Sequence, residues 1–375
     1  MASPAQSGTH QAKGATLQYL DLDRSASLDK PIPVPVTGAI PEWLTGSLYR
    51  NGSGIYNMGG LTWKHAFDGL AVIHRWTIKD GAVTYLSTIL DCDQYNKCVK
   101  VNRLTGNGFA TTFPDPCKSI FGRFFSHFRR AQNSDSTSVN IVEFGDKLFT
   151  LTETNYINEV SPETLKRTSK VDITKYFAVH MGTAHPHQDK DGSMYYFATC
   201  VNFKQAYNFV RIPQNSQSQS LFAEAQLIGS IQSRWKMNIS YTHSFGMTKD
   251  YFVHLEQPYV INVPKVATMA MWNCSFADCI RCYPREPILI HIISKTTGTR
   301  LPIEFMAPFG FVFHFVNCYE DSGFVVCDLS LYEHDDAIRG LYLHKLRSDE
   351  KIGNLTACFV RFVLPLSVQG VSSNI

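Results

Sequence analysis

Three histidines stand at matched places along this chain, and three imidazoles brought together make a metal-binding set. Each closes an apolar stretch, is followed within about six to nine residues by a turn, and then by a new strand-like run. The first copy is Thr183-Ala184-His185, the turn Asp191-Gly192 and a strand from Met194 to Val201. The second is Tyr241-Thr242-His243, the turn Lys249-Asp250 and a strand from Tyr251 to Leu255. The third is Phe313-His314, the turn Asp321-Ser322-Gly323 and a strand from Phe324 to Leu331. Neutral imidazole is a ligand for iron, zinc and copper, and three of them leave coordination positions open for chemistry. The pattern alone does not choose among those metals.

Other histidines fit the role less well. His187 lies two residues from His185 and could share its face of a strand, but Pro186 between them distorts any ladder. His65, ahead of Phe67-Asp68-Gly69, imitates the histidine-then-turn pattern at shorter spacing. His74 and His254 fall inside strand-like runs and read as packing residues.

The elements that must position the three are short strands. Leu70 to Ile78, then Lys79-Asp80-Gly81, then Ala82 to Leu90 reads as a hairpin, and Lys147 to Glu153 and Thr168 to Ile173 as further strands. Helical periodicity is confined to about Cys117 to Arg130 and Lys265 to Trp272. The histidines are 58 and 71 residues apart, the size of a propeller blade of about 40 to 50 residues plus an insertion. Equivalent positions on successive blades face one axis, so the histidines would converge.

Bulk composition agrees with a folded domain. The 375 residues are 44% hydrophobic and 18% charged, with a formal charge of +3 and no basic run beyond Arg129-Arg130, so no nucleic-acid partner is expected. The first 14 residues contain no apolar stretch, and a secretory signal is not expected. The ten cysteines therefore read as reduced thiols. Cys274, Cys279 and Cys282 have the spacing of a plant-type iron–sulfur motif, but the glycine-rich wrapping loop is missing, and free thiols are expected.

Several blocks together resemble the carotenoid-cleavage oxygenases, in the animal branch that holds β-carotene oxygenases and retinoid isomerohydrolase. They are the three histidine motifs, Leu48-Tyr49-Arg50-Asn51-Gly52, His65-Ala66-Phe67-Asp68-Gly69, Pro114-Asp115-Pro116-Cys117-Lys118, Thr152-Glu153-Thr154-Asn155 and Leu255-Glu256-Gln257-Pro258. The resemblance implies an all-β, seven-bladed β-propeller with short helical insertions and ferrous iron on its axis. It makes His185, His243 and His314 metal ligands and catalytic residues, and Glu153 the carboxylate that accepts a hydrogen bond from His243. It implies a dioxygenase that uses O2 to split a carotenoid double bond into apocarotenal or retinal products. The alternatives are retinoid isomerohydrolase chemistry on a retinoid substrate, or an inactive propeller that binds carotenoid or a partner.

The segment 117–130 combines Cys117, Ile120, Phe121, Phe124, Phe125 and Phe128 with three arginines, and peripheral membrane attachment is expected there. The location implied is cytoplasmic and membrane-peripheral, with the mitochondrion as the alternative. Against the family pattern, Ser53 replaces a proline and Ala66 a tryptophan. A fourth histidine in a His-Gly context and two further glutamates have no counterpart, since His334 and His344 lack that context. The expected layout is a flexible leader over 1–30, a propeller incomplete at its C-terminus over 31–368, and a polar tail over 369–375.

Overall fold

Alternating strand-like runs and tight turns build antiparallel sheets one after another. A computed structural model describes residues 22, 27–113, 134–201, 204–214, 220–272, 274–334, 336–348 and 356–367. Among the described residues, six sheets of three to five strands follow in chain order. The first pairs Ile32–Val34, Ala82–Ile89, Leu70–Lys79 and Gly46–Ile55, and the second is a meander from Asn140–Phe144 to Arg167–Asp172. The third holds Met181–Gly182, His187–Gln188, Met194–Val201, Gln205–Ile212 and Gln226–Gln232. The fourth holds Asn238–Ser240, Tyr259–Asn262 and Ile280–Cys282; the fifth Gly246–Met247, Tyr251–Glu256, Ile288–Ser294 and Phe305–Ala307. The sixth is Phe311–Asp321, Phe324–Tyr332 and Cys358–Pro365.

Two hairpins show why these sequences turn where they do. Asp80-Gly81 and Ser322-Gly323 each have positive φ at both positions, the two-residue turn whose twist matches antiparallel strands. The expected strands agree with the observed ones to within two residues at each end. The expected helix over Lys265 to Trp272 forms in two short pieces, Val263–Ala267 and Met269–Trp272, with Pro264 in the first. The helix Asp93–Lys100, which no strong periodicity announces, is opened by Cys92 and by both carboxylate oxygens of Asp135 on its first N–H groups. The helical run expected over 117–130 lies outside the described residues. Within the expected leader, Leu22 and Leu28 already dock, donating to the carbonyls of Gly54 and Ser87.

The core lies between sheets. Ile73 and Leu86 of the first pack with Leu148 and Val160 of the second. Ile157 of the second packs with Tyr196 and Val210 of the third, and Val253 of the fifth with Val325 and Leu329 of the sixth. A sheet covered on both faces has no solvent side, so every residue from Met194 to Cys200 is buried and alternation disappears. The last sheet's excursion returns to the first. Leu343 and Leu346 join the cluster of Trp63, Val72 and Ile89, and Leu343 N–H donates to the Lys64 carbonyl at 2.8 Å. Sheets stacked face to face, with the segment between the last two strands returning to the first sheet, follow one another in the manner of propeller blades.

Candidate metal centre

The three histidines come together from different sheets. His185 lies between the two short edge strands of the third sheet, and His243 between the ends of the fourth and fifth. His314 lies on the first strand of the sixth, where register shifts break the ladder between Val312 and Asn317. Their ligating atoms all fall within 4.8 Å of one another. The ring centroids are 4.5, 4.7 and 4.8 Å apart at steep mutual angles, so edges rather than faces converge. His185 Nε2 and His243 Nε2 are 2.9 Å apart.

A hydrogen-bonded carboxylate fixes the orientation of one ring. Glu153 Oε1 lies 2.6 Å from His243 Nδ1, and Glu153 Oε2 accepts from the Tyr241 hydroxyl at 2.7 Å. An Nδ1–H donated to a carboxylate leaves Nε2 as a lone pair aimed at the centre and raises its basicity. Asn140 holds the neighbouring segment, donating to the Ala184 carbonyl at 2.8 Å. Burial, reinforced by the facing imidazoles His243 and His314, lowers the His185 pKa to about 3. Although His314 is itself exposed, the side chains packed around its ring desolvate it, and they and then His243 lower it to about 4, against an opposing pull from Glu153. Both rings are therefore neutral near pH 7, the state that offers a lone pair.

This donor set fits a divalent first-row metal. Two nitrogens each about 2.1 Å from one ion stand about 3.0 Å apart at a right angle and about 3.4 Å at the tetrahedral angle. The two Nε2 atoms, 2.9 Å apart, are within reach of a single ion.

The competing histidines have other work. His65 is fully buried, with Nε2 on the Ile338 carbonyl at 2.9 Å and Nδ1 accepting from Phe67 N–H. His187 Nε2 bonds the Phe245 carbonyl at 2.8 Å. His254 is buried between Tyr207 and Phe197. Cys274 and Cys279 donate to the carbonyls of Met269 and Ser275, and burial pushes Cys279 up to about 12, far from thiolate chemistry. Cys117, Ile120, Phe121, Phe124, Phe125 and Phe128 lie outside the described residues. Sequence reading missed Tyr241 and Asn140. Tyr241 carried one signal, since two residues before His243 it shares that side of an extended chain.

An aromatic arc leads to the centre. Phe109 packs on Phe67, Phe67 on Phe313, and Phe313 edge-on against His243 at 5.2 Å. Phe67 remains 39% exposed. A cavity of about 440 Å³ has Tyr259, Ile280, Ile338 and Tyr342 together with Asp278, Arg339 and Lys345 in its wall, and none of the three histidines lines it. Tyr259 packs on Phe311, which packs on Phe313.

Residues 23–374 match the family described as Retinal pigment epithelial membrane protein, RPE65. The chain belongs to this family. Among its curated members, the beta,beta-carotene 15,15'-dioxygenase of Rattus norvegicus is 37% identical over 352 residues, covering 90% of this chain and 62% of the relative. That of Homo sapiens is also 37% identical, covering 90% and 64%, and that of Gallus gallus 34% identical, covering 90% and 66%. The chain thus spans about three fifths of the length of the first of these relatives. Among solved structures, a Synechocystis apocarotenoid oxygenase superposes with a TM-score of 0.67 at 21% identity, over 84% of this chain and 63% of that one. A chimera of that oxygenase with RPE65 gives 0.67 at 20% identity, over 84% and 63%. These likenesses show the fold, the all-β carotenoid-oxygenase propeller expected from the sequence.

Proposed function

We propose that this RPE65-family chain is a non-haem iron(II) dioxygenase that cleaves a carotenoid double bond, adding both atoms of O2 to give two carbonyl products. The observation that carries it is the convergence of three imidazoles from separate sheets, one oriented by a half-buried carboxylate. His185, His243 and His314 would hold the metal. Ferrous iron, when bound, supplies the binding and activation of O2, which no amino-acid side chain provides. The chain's own residues hold and orient. Glu153 keeps the proton of His243 on Nδ1, and Tyr241 keeps Glu153 in place. The arc of Phe109, Phe67 and Phe313 offers π faces to a flat apolar polyene and keeps water from the reacting bond. Relatives named for cleavage of beta,beta-carotene support cleavage over isomerisation for this chain.

A polyene comes from lipid, so peripheral contact with a membrane from the cytoplasm belongs to the same reading. Met237 and Met271 are 58% and 69% exposed, and Val263 N–H donates to the Met237 carbonyl, which brings Met237 to the start of the helical turn before Met271. Among the described residues no helix is long and apolar enough to cross a membrane.

The test is product analysis. Protein loaded with ferrous iron is incubated in air with β-carotene, and separately with a retinyl ester. Aldehydes from β-carotene are expected. Retinol from the ester with no aldehyde from β-carotene would move the assignment to isomerohydrolase chemistry, and iron-loaded protein that changes neither substrate would overturn the enzymatic reading.

A further inference from the structure

The three ligand-bearing segments belong to different sheets, and no strand ladder joins them. Ladders fix distances within a sheet, but no ladder sets the offset between sheets that meet only through side chains. Something else must hold the segments in register.

Side chains bonded to neighbouring backbone do so. The Thr183 hydroxyl donates to the His243 carbonyl at 3.0 Å and accepts from His185 N–H at 3.0 Å, tying the first two ligand segments. The Ser244 hydroxyl donates to the Phe313 carbonyl at 2.5 Å, tying the second to the third. Gln257 makes the most extensive connection. Its amide nitrogen donates to the Tyr241 carbonyl at 2.8 Å and the Val312 carbonyl at 3.2 Å, and its amide oxygen accepts from Val312 N–H at 2.8 Å. Tyr241 and Val312 each lie two residues before a metal-centre histidine, His243 and His314.

Gln257 occupies the link between the outgoing strand Tyr251–Glu256 and the return strand Tyr259–Asn262, with Pro258 stiffening the turn. Only 2% of it is exposed, and both ends of its amide are used. A primary amide copies the donor and acceptor of a peptide unit, so it can stand between two backbones as a missing strand would. Leucine fills the same volume without either function. Glutamate keeps the acceptor for Val312 N–H and loses the donor to both carbonyls.

We infer that Gln257 is a positioning residue for the metal centre, setting the separation of His243 and His314 by clasping their two segments. This rests on the metal-binding reading above and adds to it a residue that touches no ligand atom.

The test titrates metal-free protein with Co²⁺ and follows visible absorption, which reports both affinity and ligand geometry without turnover. Wild type, Gln257→Leu and Asn208→Ala are compared. Asn208 is a buried amide whose bonds to Ser230, Ala178 and Cys200 stay within the third sheet and its approach. Gln257→Leu is expected to weaken Co²⁺ binding roughly tenfold or more and to change the band shape, as loss of an orienting partner does. Asn208→Ala is expected to lose thermal stability with wild-type affinity and spectrum. Should Gln257→Leu not fold, Gln257→Glu takes its place: weaker Co²⁺ binding supports the clasp, and wild-type affinity overturns it. Folded Gln257→Leu with wild-type affinity and spectrum overturns the clasp alone. Wild-type protein that takes up no Co²⁺ overturns the metal-binding reading and the clasp with it.

Discussion

Replacing Glu153 by glutamine tests how far the orienting carboxylate sets the metal centre. Glu153 receives two short hydrogen bonds, from His243 Nδ1 at 2.6 Å and from Tyr241 at 2.7 Å. Both are charge-assisted, a class worth about 1.5–3 kcal/mol each in net terms. Glutamine has one oxygen and one NH2, so it can accept from His243 or from Tyr241 and must turn a donor toward the other. The Tyr241 hydroxyl can accept that donor, so what is lost is the charge assistance of both bonds, equivalent to about one such bond, and His243 loses the negative charge that raises its basicity. At about 1.4 kcal/mol per decade the loss corresponds to a roughly 10- to 100-fold weaker hold on a divalent metal. The assay is a Co²⁺ or Fe²⁺ titration of metal-free protein, with thermal melting to show that the fold survives. Tyr241→Phe, which leaves the carboxylate and its bond to His243 in place, is expected to lose less than tenfold. Glu153→Gln that melts as wild type and binds within twofold of it would refute the orienting role.

Two further perturbations read the scaffold. Glu256 is fully buried, and although burial raises a carboxyl pKa, hydrogen bonds from His291, Ser233 and Arg234 N–H together hold it at about 2. With an unfolded value near 4.5, its ionised form contributes about 3 kcal/mol of stability above pH 4.5, lost as pH falls toward 2. Urea midpoints at pH 5 and pH 3 should therefore separate more for wild type than for Glu256→Gln, the remaining difference coming from aspartates also held low, such as Asp93 and Asp189. At Gly182, three residues before His185, a Cβ would run into the Tyr196 hydroxyl and its ring carbons at 2.7 Å. Gly182→Ala should cost about 1–3 kcal/mol by overpacking and lower metal uptake, since the displaced segment carries His185; an unchanged denaturation midpoint would contradict this.

The blades were legible because turn chemistry is local. Lys79-Asp80-Gly81 and Asp321-Ser322-Gly323 place positive φ between β-rich runs, and the strands follow within two residues. The convergence of the three histidines was legible because one hairpin position recurs in three blades. The residues that hold them were not. Thr183, Ser244 and Gln257 act on the backbone of segments up to 69 residues away, and a hydroxyl or amide serving a carbonyl has no signature of type or spacing. The return of Leu343 and Leu346 to the first sheet was hidden for the same reason, since apolar side chains do not name their partners. The expected helix over Lys265 to Trp272 is helical except at Thr268, where it breaks into Val263–Ala267 and Met269–Trp272.

Metal stoichiometry tests the central claim most directly. Purified protein is loaded anaerobically with ferrous iron, desalted and measured by elemental analysis, beside His243→Ala and His187→Ala. His243 contributes a lone pair to the centre, whereas His187 spends its Nε2 on the Phe245 carbonyl. We expect about one iron per chain in wild type and His187→Ala, and less than about a tenth in His243→Ala, because losing one of three ligands removes both a bond and the site's geometry. Less than about a tenth of an equivalent in folded wild type, or equal losses from the two substitutions, would contradict it.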